Sequence, residues 1–330
     1  MPSACAWEIS NKASSIALND GFESVVRTLA KGFENAGGTI LRQHQLLSFD
    51  STTLPDGHKG IKLVFKAGDT TITVLTRRLI LAMPRRSLQL IGQSGCLLDP
   101  MHVETQTLIN SVEGIPLFKL FLAYHAPWWE AAGVHSGRST TTLPIRQCYY
   151  WGVEGRQKHA NPANNNALLL ASYEDVAETL FWRGYKRAAG VSPEHYPNPV
   201  APAEAGDDDA WHRHRAPKRM VLEAHRQLKE IHGVSDAPEP YAASFRDWTE
   251  EPYGGGVHFW KLGYNSQECI TRMIKPRHDE AVFIIGEAYS KTQGWVEGAL
   301  ETSELMLRHL GVASPSWVSS AATIPPGEHS

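Results

Sequence analysis

A glycine–acid pair closing an apolar run, followed shortly by a glycine–tryptophan helix start, can hold a flat anionic group. That order occurs in "AVFIIGEAYSKTQGWVEGALETSELML", residues 281–307. Gly286 and Gly294 would let a ligand approach the backbone closely. The helix reading from about Trp295 offers N–H groups without intrahelical partners and a partial positive charge at its start. A plain strand–loop–helix with glycine at the turns has the same spacing. Lys119 in "IPLFKLFLAYHAPWW" is a second candidate. In a strand it shares a face with Leu117, Phe121 and Ala123. A buried ammonium is costly there, and its pKa would fall, as suits a lysine acting on a water or a substrate. The alternative is an edge-strand lysine reaching solvent. In "GRSTTTLPIRQCYYWG", Tyr149 and Tyr150 point to opposite faces of a strand, so one can line a pocket while the other packs. In "EPYGGGVHFW", three glycines bring backbone close to some neighbour, and His258 is either a pocket wall or a satisfied core histidine.

Other chemistries lack an anchor. The 15 histidines form no H-E-x-x-H and no ligand spacing with cysteine, so no metal is expected. There is no G-x-S-x-G elbow and no G-x-x-x-x-G-K-[ST] loop. Cys5, Cys96, Cys148 and Cys269 form no C-x-x-C pair, which points to a reducing compartment. A net charge of −3 gives no electrostatic case for nucleic acid or membrane partners. "MPSACAWEIS" has neither basic start nor apolar run, and no segment has the length of a spanning helix. The expectation is a cytoplasmic protein.

The elements that must position these residues can be read from periodicity. In "NDGFESVVRTLAKGFENAGG", Phe22, Val25, Val26, Leu29 and Phe33 fall on one helical face, with Asn19 or Asp20 as cap and Gly37-Gly38 as stop. "TILRQHQLLSF", "IKLVFKAG", "TTITVLT" and "RRLILAMP" read as strands of a small antiparallel meander. A helix is expected over 100–111. "IPLFKLFLAY", "LPIRQCYYWG" and "ALLLASY" read as strands, and "EDVAETLFW" and "KRMVLEAHRQLKEIHG" as helices. The proline-, alanine- and charge-rich stretch between the last two, with His212 and His214, reads as an exposed loop, and the tail 313–330 as frayed.

In this order the motifs resemble the flavin-containing amine oxidase family, and within it the L-amino acid oxidases. "DGFESVVRTLAKGFENAGGTI", "RRLILAMPRRSL", "IPLFKLFLAYHAPWW", "EEPYGGGVHFW" and "AVFIIGEAYSKTQGWVEGA" carry the likeness across nearly the whole chain. The resemblance implies FAD as cofactor. Gly286 and Glu287 would bind the flavin's ribityl or ribose region, and Gly294, Trp295 and Val296 its pyrimidine edge. Lys119 would hold a water near flavin N5. Tyr149 or Tyr150 would meet the substrate carboxylate. Trp295 would face the substrate, and His258 falls where some members place an aromatic wall. The implied reaction is oxidative deamination of an L-amino acid or related amine, with dioxygen as acceptor.

Two family features are not found in this sequence. One is the opening strand–G-x-G-x-x-G–helix unit. The other is the arginine that pairs with an amino acid carboxylate. The resemblance therefore implies the C-terminal part of a split or truncated oxidase, completed by a partner polypeptide, or else a non-catalytic module. The fold class expected is a mixed α/β, α+β arrangement. A flavin domain discontinuous over 1–96 and 252–312 would flank a substrate domain over 97–251 with a mixed sheet and helices.

Overall fold

The computed structural model describes residues 21–92, 97, 99, 102–157, 160–186, 194–199 and 214–316. Two compact units are present, Met1–His44 and Gln45–Ser330. The first contains α1, Glu23–Asn35, which buries no residue. It ends where Gly37, at φ +90°, donates its N–H to the Glu34 carbonyl. The anticipated apolar stripe forms, and Phe22, Val26, Leu29 and Phe33 lie exposed on it. The anticipated caps Asn19 and Asp20 lie outside the described residues.

The second unit opens with β1 (His44–Thr53), β2 (Lys59–Ala67) and β3 (Thr70–Thr76), a three-stranded sheet in sequence order. The fourth strand, β4 (Leu79–Ala82), corrects the four-strand meander. It leaves that sheet and pairs in parallel with a strand from the far end of the chain. Its partner is the all-buried run Val282–Ile285, the continuous apolar pattern of a parallel strand covered on both faces. Nothing in the local pattern of "LILA" distinguishes these two fates.

The order continues through α2 (Arg85–Leu90), α3 (Val103–Ile109), β5 (Val112–Ile115), β6 (Leu117–Tyr124), β7 (Gly137–Thr140), β8 (Gln147–Val153), β9 (Ala167–Asp175), α4 (Thr179–Lys186) and α5 (Lys218–His232). It ends with β10 (Ala242–Asp247), β11 (Val257–Trp260), α6 (Ser266–Ile274), β12 (Val282–Ile285) and α7 (Val296–His309). The middle of the chain forms a five-stranded sheet, β10-β6-β9-β8-β7, whose paired strands are all antiparallel. One face carries Phe118, Leu120, Leu122, Tyr124, Leu169 and Tyr150 into a core shared with Trp182 and with Met220, Val221, Ala224 and Leu228 of α5. The other face carries Lys119 and Tyr149. A second core gathers β2, β4, β12 and α6 around Leu81, Ile61, Met273 and Ile284.

One residue in the sheet opposes its own burial. Glu174 is fully buried on β9, next to the strand's C-terminal residue. One carboxyl oxygen accepts from Ser172 Oγ at 3.1 Å, and the other has no hydrogen-bond partner. Burial raises its pKa from 4.5 to about 8. Folding thus favours the protonated form, so its contribution is intact below pH 4.5 and lost as pH rises through about 8. Glu174→Gln, which stays neutral, should unfold at the wild-type temperature near pH 4.5 and at a progressively higher one up to about pH 8. Thermal melts across that range check this; a pH-independent difference would remove the carboxyl from the account.

Candidate functional site

At the carboxyl end of β12 the chain turns at Gly286, whose φ of +131° strongly favours glycine. Its N–H donates to Thr302 Oγ1 of α7 at 2.9 Å, which fastens the strand end to the helix that follows. Glu287 comes next. Its Oε1 accepts from the Gly294 N–H at 2.6 Å and from the His258 N–H at 3.2 Å. Its Oε2 lies 3.0 Å from His258 Nδ1. One carboxylate therefore ties β11 to the residue before the α7 N-cap. Trp295 is that N-cap, with extended backbone, and no side-chain hydrogen bond caps the helix among the described residues. Trp295 and Val296 are both exposed. The helix packs tightly on the preceding loop, because a Cβ on Gly298 would overlap Ser290 Oγ.

These features occupy the carboxyl ends of parallel strands, where open α/β sheets bind ligands. The residues fit a flavin there. A helix start lacking a side-chain cap, a glycine turn and an oriented carboxylate are a donor and acceptor set for a flat heterocycle bearing a hydroxylated chain.

Lys119 lies on β6 of the five-stranded sheet, opposite Tyr173 of β9 on one side and Arg246 of β10 on the other. Burial holds its ammonium below the usual range. Its Nζ sits over two aromatic rings, Tyr173 at 4.9 Å and Trp248 at 5.6 Å, and cation–π attraction offsets part of the desolvation. Tyr149 shares this face, since it pairs with Leu170, which pairs with Phe121. Its ring lies 6.0 Å from that of Tyr173. Its hydroxyl donates to Gln147 and receives a long contact from Arg138 Nη1 at 3.5 Å. Tyr150 goes the other way. It is buried, its hydroxyl 2.6 Å from His232 Nε2 and 2.6 Å from Ser139 Oγ.

The two groups are joined by one zipped segment. Trp248 donates to the Leu117 carbonyl at 3.0 Å, Gly255 to the Trp248 carbonyl at 2.8 Å, and Gly256 to the Ile115 carbonyl at 2.9 Å. His258 then pairs with Gly114. The segment 248–258 thus runs from the Lys119 ring cage to the Glu287 carboxylate. The neighbour implied by the triple glycine is the protein itself. A Cβ on Gly256 would overlap Leu117 Cβ, one on Gly254 would lie 2.8 Å from the Thr249 carbonyl, and one on Gly255 3.6 Å from His258 Nε2.

Of the two readings open for His258, the structure has the buried one: the residue is 3% exposed and bonded to Glu287. Gly286, Glu287, Gly294, Trp295 and Val296 come together as one local group. Tyr173, Trp248 and Arg138 join the Lys119 face without having been singled out in the sequence. The signal for Tyr173 was the register of "ALLLASY" against the lysine strand, which pairing alone reveals. A separate cleft of about 500 Å³, lined by Ser51, Lys59, Arg77, Lys275, His278 and Glu280, lies at the amino ends of β4 and β12 and holds none of the anticipated site residues. Cys148 and Cys269 are buried free thiols; Cys5, Cys96 and His212 lie outside the described residues. No group of three or more metal-ligating side chains occurs among the described residues. No helix among them is long and apolar enough to cross a membrane.

The family model "Flavin containing amine oxidoreductase" matches residues 5–305. Aplysianin-A of Aplysia kurodai is 26% identical over 89% of this chain and 51% of its own length. Achacin of Lissachatina fulica is 25% identical over 88% and 52%. The flavin-dependent L-tryptophan oxidase RebO of Lentzea aerocolonigenes is 24% identical over 89% and 52%. The chain thus spans about half the length of the curated relatives it matches. A putrescine oxidase redesigned at its cofactor site superposes with a TM-score of 0.56 at 13% identity, covering 88% of this chain and 52% of that one, and so shares the fold.

Gly256→Ala should destabilise the protein by about 1–3 kcal/mol, the usual cost of overpacking, and lower the melting temperature by several degrees. Gly152→Ala, where a Cβ meets nothing within 4 Å, is the matched control. Equal melting temperatures for the two variants would refute the close packing of the glycine segment.

Proposed function

The chain belongs to the flavin containing amine oxidoreductase family, and on that basis we propose that it forms the flavin- and substrate-facing half of an FAD-dependent oxidase acting on an L-amino acid or a related amine. The observation that carries this is the convergence of Gly286, Glu287 and the start of α7 at the carboxyl ends of β4 and β12. Glu287 would meet ribityl or ribose hydroxyls, and the start of α7 at Trp295 and Val296 the pyrimidine edge, with Gly294, whose own N–H is bound to Glu287, forming the turn before them. FAD, when bound, supplies the acceptor for the hydride taken from the amine-bearing carbon.

The chain's own residues would bind, orient and move protons. Lys119, desolvated and flanked by Tyr173 and Trp248, would hold a water and shift a proton at Nζ. Tyr149 would serve the substrate carboxylate, since Tyr150 is turned into the opposite core with its hydroxyl against His232 and Ser139. Arg138, beside the Tyr149 hydroxyl, would add positive charge there. Similarity to a relative named as an L-tryptophan oxidase supports an amino acid over a simple amine.

The same proposal includes a partner polypeptide carrying the G-x-G-x-x-G unit. One observation supports it: among the described residues the parallel sheet has two strands, β4 and β12, whereas purely parallel sheets are normally larger and covered on both faces. The 1–96, 97–251 and 252–312 division is proposed with it.

The chain, purified alone and together with candidate partner polypeptides, should show flavin absorbance in the visible in the complete assembly. A colourless, folded protein in every combination would favour the non-catalytic module instead. In the assembled oxidase, Lys119→Met should slow turnover or flavin reoxidation by about 100-fold while flavin absorbance is retained. Wild-type rates in stopped-flow measurements of that variant would rule the lysine out.

A further inference from the structure

We infer that His258 is a positioning residue, which aims the Glu287 carboxylate and through it fixes the start of α7. Why that aim matters rests on the function proposed above; the aiming itself rests on geometry. Both backbone donors to Glu287, the N–H groups of Gly294 and His258, converge on Oε1. They leave the carboxylate able to rotate about that oxygen. The contact to Oε2 is the His258 ring, 3.0 Å away through Nδ1. A carboxylate only accepts, so the proton of a neutral ring here resides on Nδ1.

The ring cannot swing away easily. It is buried, its residue is held in the β11–β5 ladder opposite Gly114, and it packs in a slot bounded by two glycines. A Cβ on Gly114 would lie 3.7 Å from Nε2 and one on Gly255 3.6 Å from it. Gly255 also has a φ of +133°, a conformation that favours glycine at this wall of the slot. A carboxylate that must present its remaining lone pairs to a ligand gains precision when a rigid neighbour fixes its plane. The resemblance had placed His258 as a wall of the substrate pocket. The geometry sets its ring against the Glu287 carboxylate.

Three measurements test this. In the full chain without added cofactor, His258→Ala should speed hydrogen exchange of the Gly294 amide about tenfold, because its acceptor is no longer held. His258→Asn, whose side-chain amide can donate from nearly the Nδ1 position, should return exchange to within about threefold of wild type. Nitrogen NMR of the wild-type ring should find the proton on Nδ1, a readout that needs no variant to fold. In the flavin-loaded assembly, His258→Ala should weaken flavin affinity about tenfold and His258→Asn should restore it. A proton on Nε2 alone, Gly294 exchange unmoved in a folded His258→Ala variant, or failure of His258→Asn to restore it would overturn the inference. If the wild-type protein takes up no flavin in any combination, the functional reading fails, while the exchange and NMR results still decide the role of His258.

Discussion

The carboxylate of Glu287 is the contact on which the site depends. It lies just past β12, and its donors come from β11 and from the loop that opens α7. Three separate elements of the chain are thereby held as one unit: a strand end, a pairing strand and a helix start. Charge-assisted hydrogen bonds of this kind are worth more than neutral ones. The arrangement also explains the order of residues in 281–307. Gly286 is needed because the chain must turn at positive φ before the acid, and Gly294, at φ +85°, because it must turn again before the helix.

The second constraint is the alternation of faces on the five-stranded sheet. Lys119 and Tyr149 share one face because both are registered, directly or through Leu170, with Phe121 and its neighbours. Tyr150 is assigned to the other face by the same rule and satisfies its hydroxyl against His232 and Ser139. A one-residue slip of β8 would exchange these roles. The core-facing network of Tyr150, His232 and Ser139 therefore does more than fill space. Its hydrogen bonds hold β8 in the register that puts Tyr149 on the face that carries the lysine.

Much of this was legible in the sequence where the signal is local. Helical spacing located α5 and its stop at Gly233, which adopts the left-handed conformation of a C-terminal cap. The glycine and tryptophan at 294–295 marked the start of α7. What was not legible depends on pairing between distant segments. "LILA" has the same composition whether it closes a meander or lies parallel to a strand two hundred residues on. Tyr173 and Trp248 became neighbours of Lys119 only through the β6–β9 register and the 248–258 zipper. His258 was ambiguous for the same reason: its partner Glu287 belongs to another element, and spacing alone does not bring the two together.

The triple glycine shows how a ligand-binding signature and a packing signature coincide. Glycines were read as sites of close backbone approach, which is correct, but the approaching group is the protein's own chain. Gly256 admits Leu117, Gly255 admits the His258 ring, and Gly254 admits the Thr249 carbonyl. These contacts carry the backbone of 248–258 flush along β5 and the start of β6. A side chain at Gly254 or Gly256 would overlap the Thr249 carbonyl or Leu117 and push the segment off the strands it lies against. The glycines thus act on the site indirectly, by fixing the spacing between a desolvated ammonium and an oriented carboxylate.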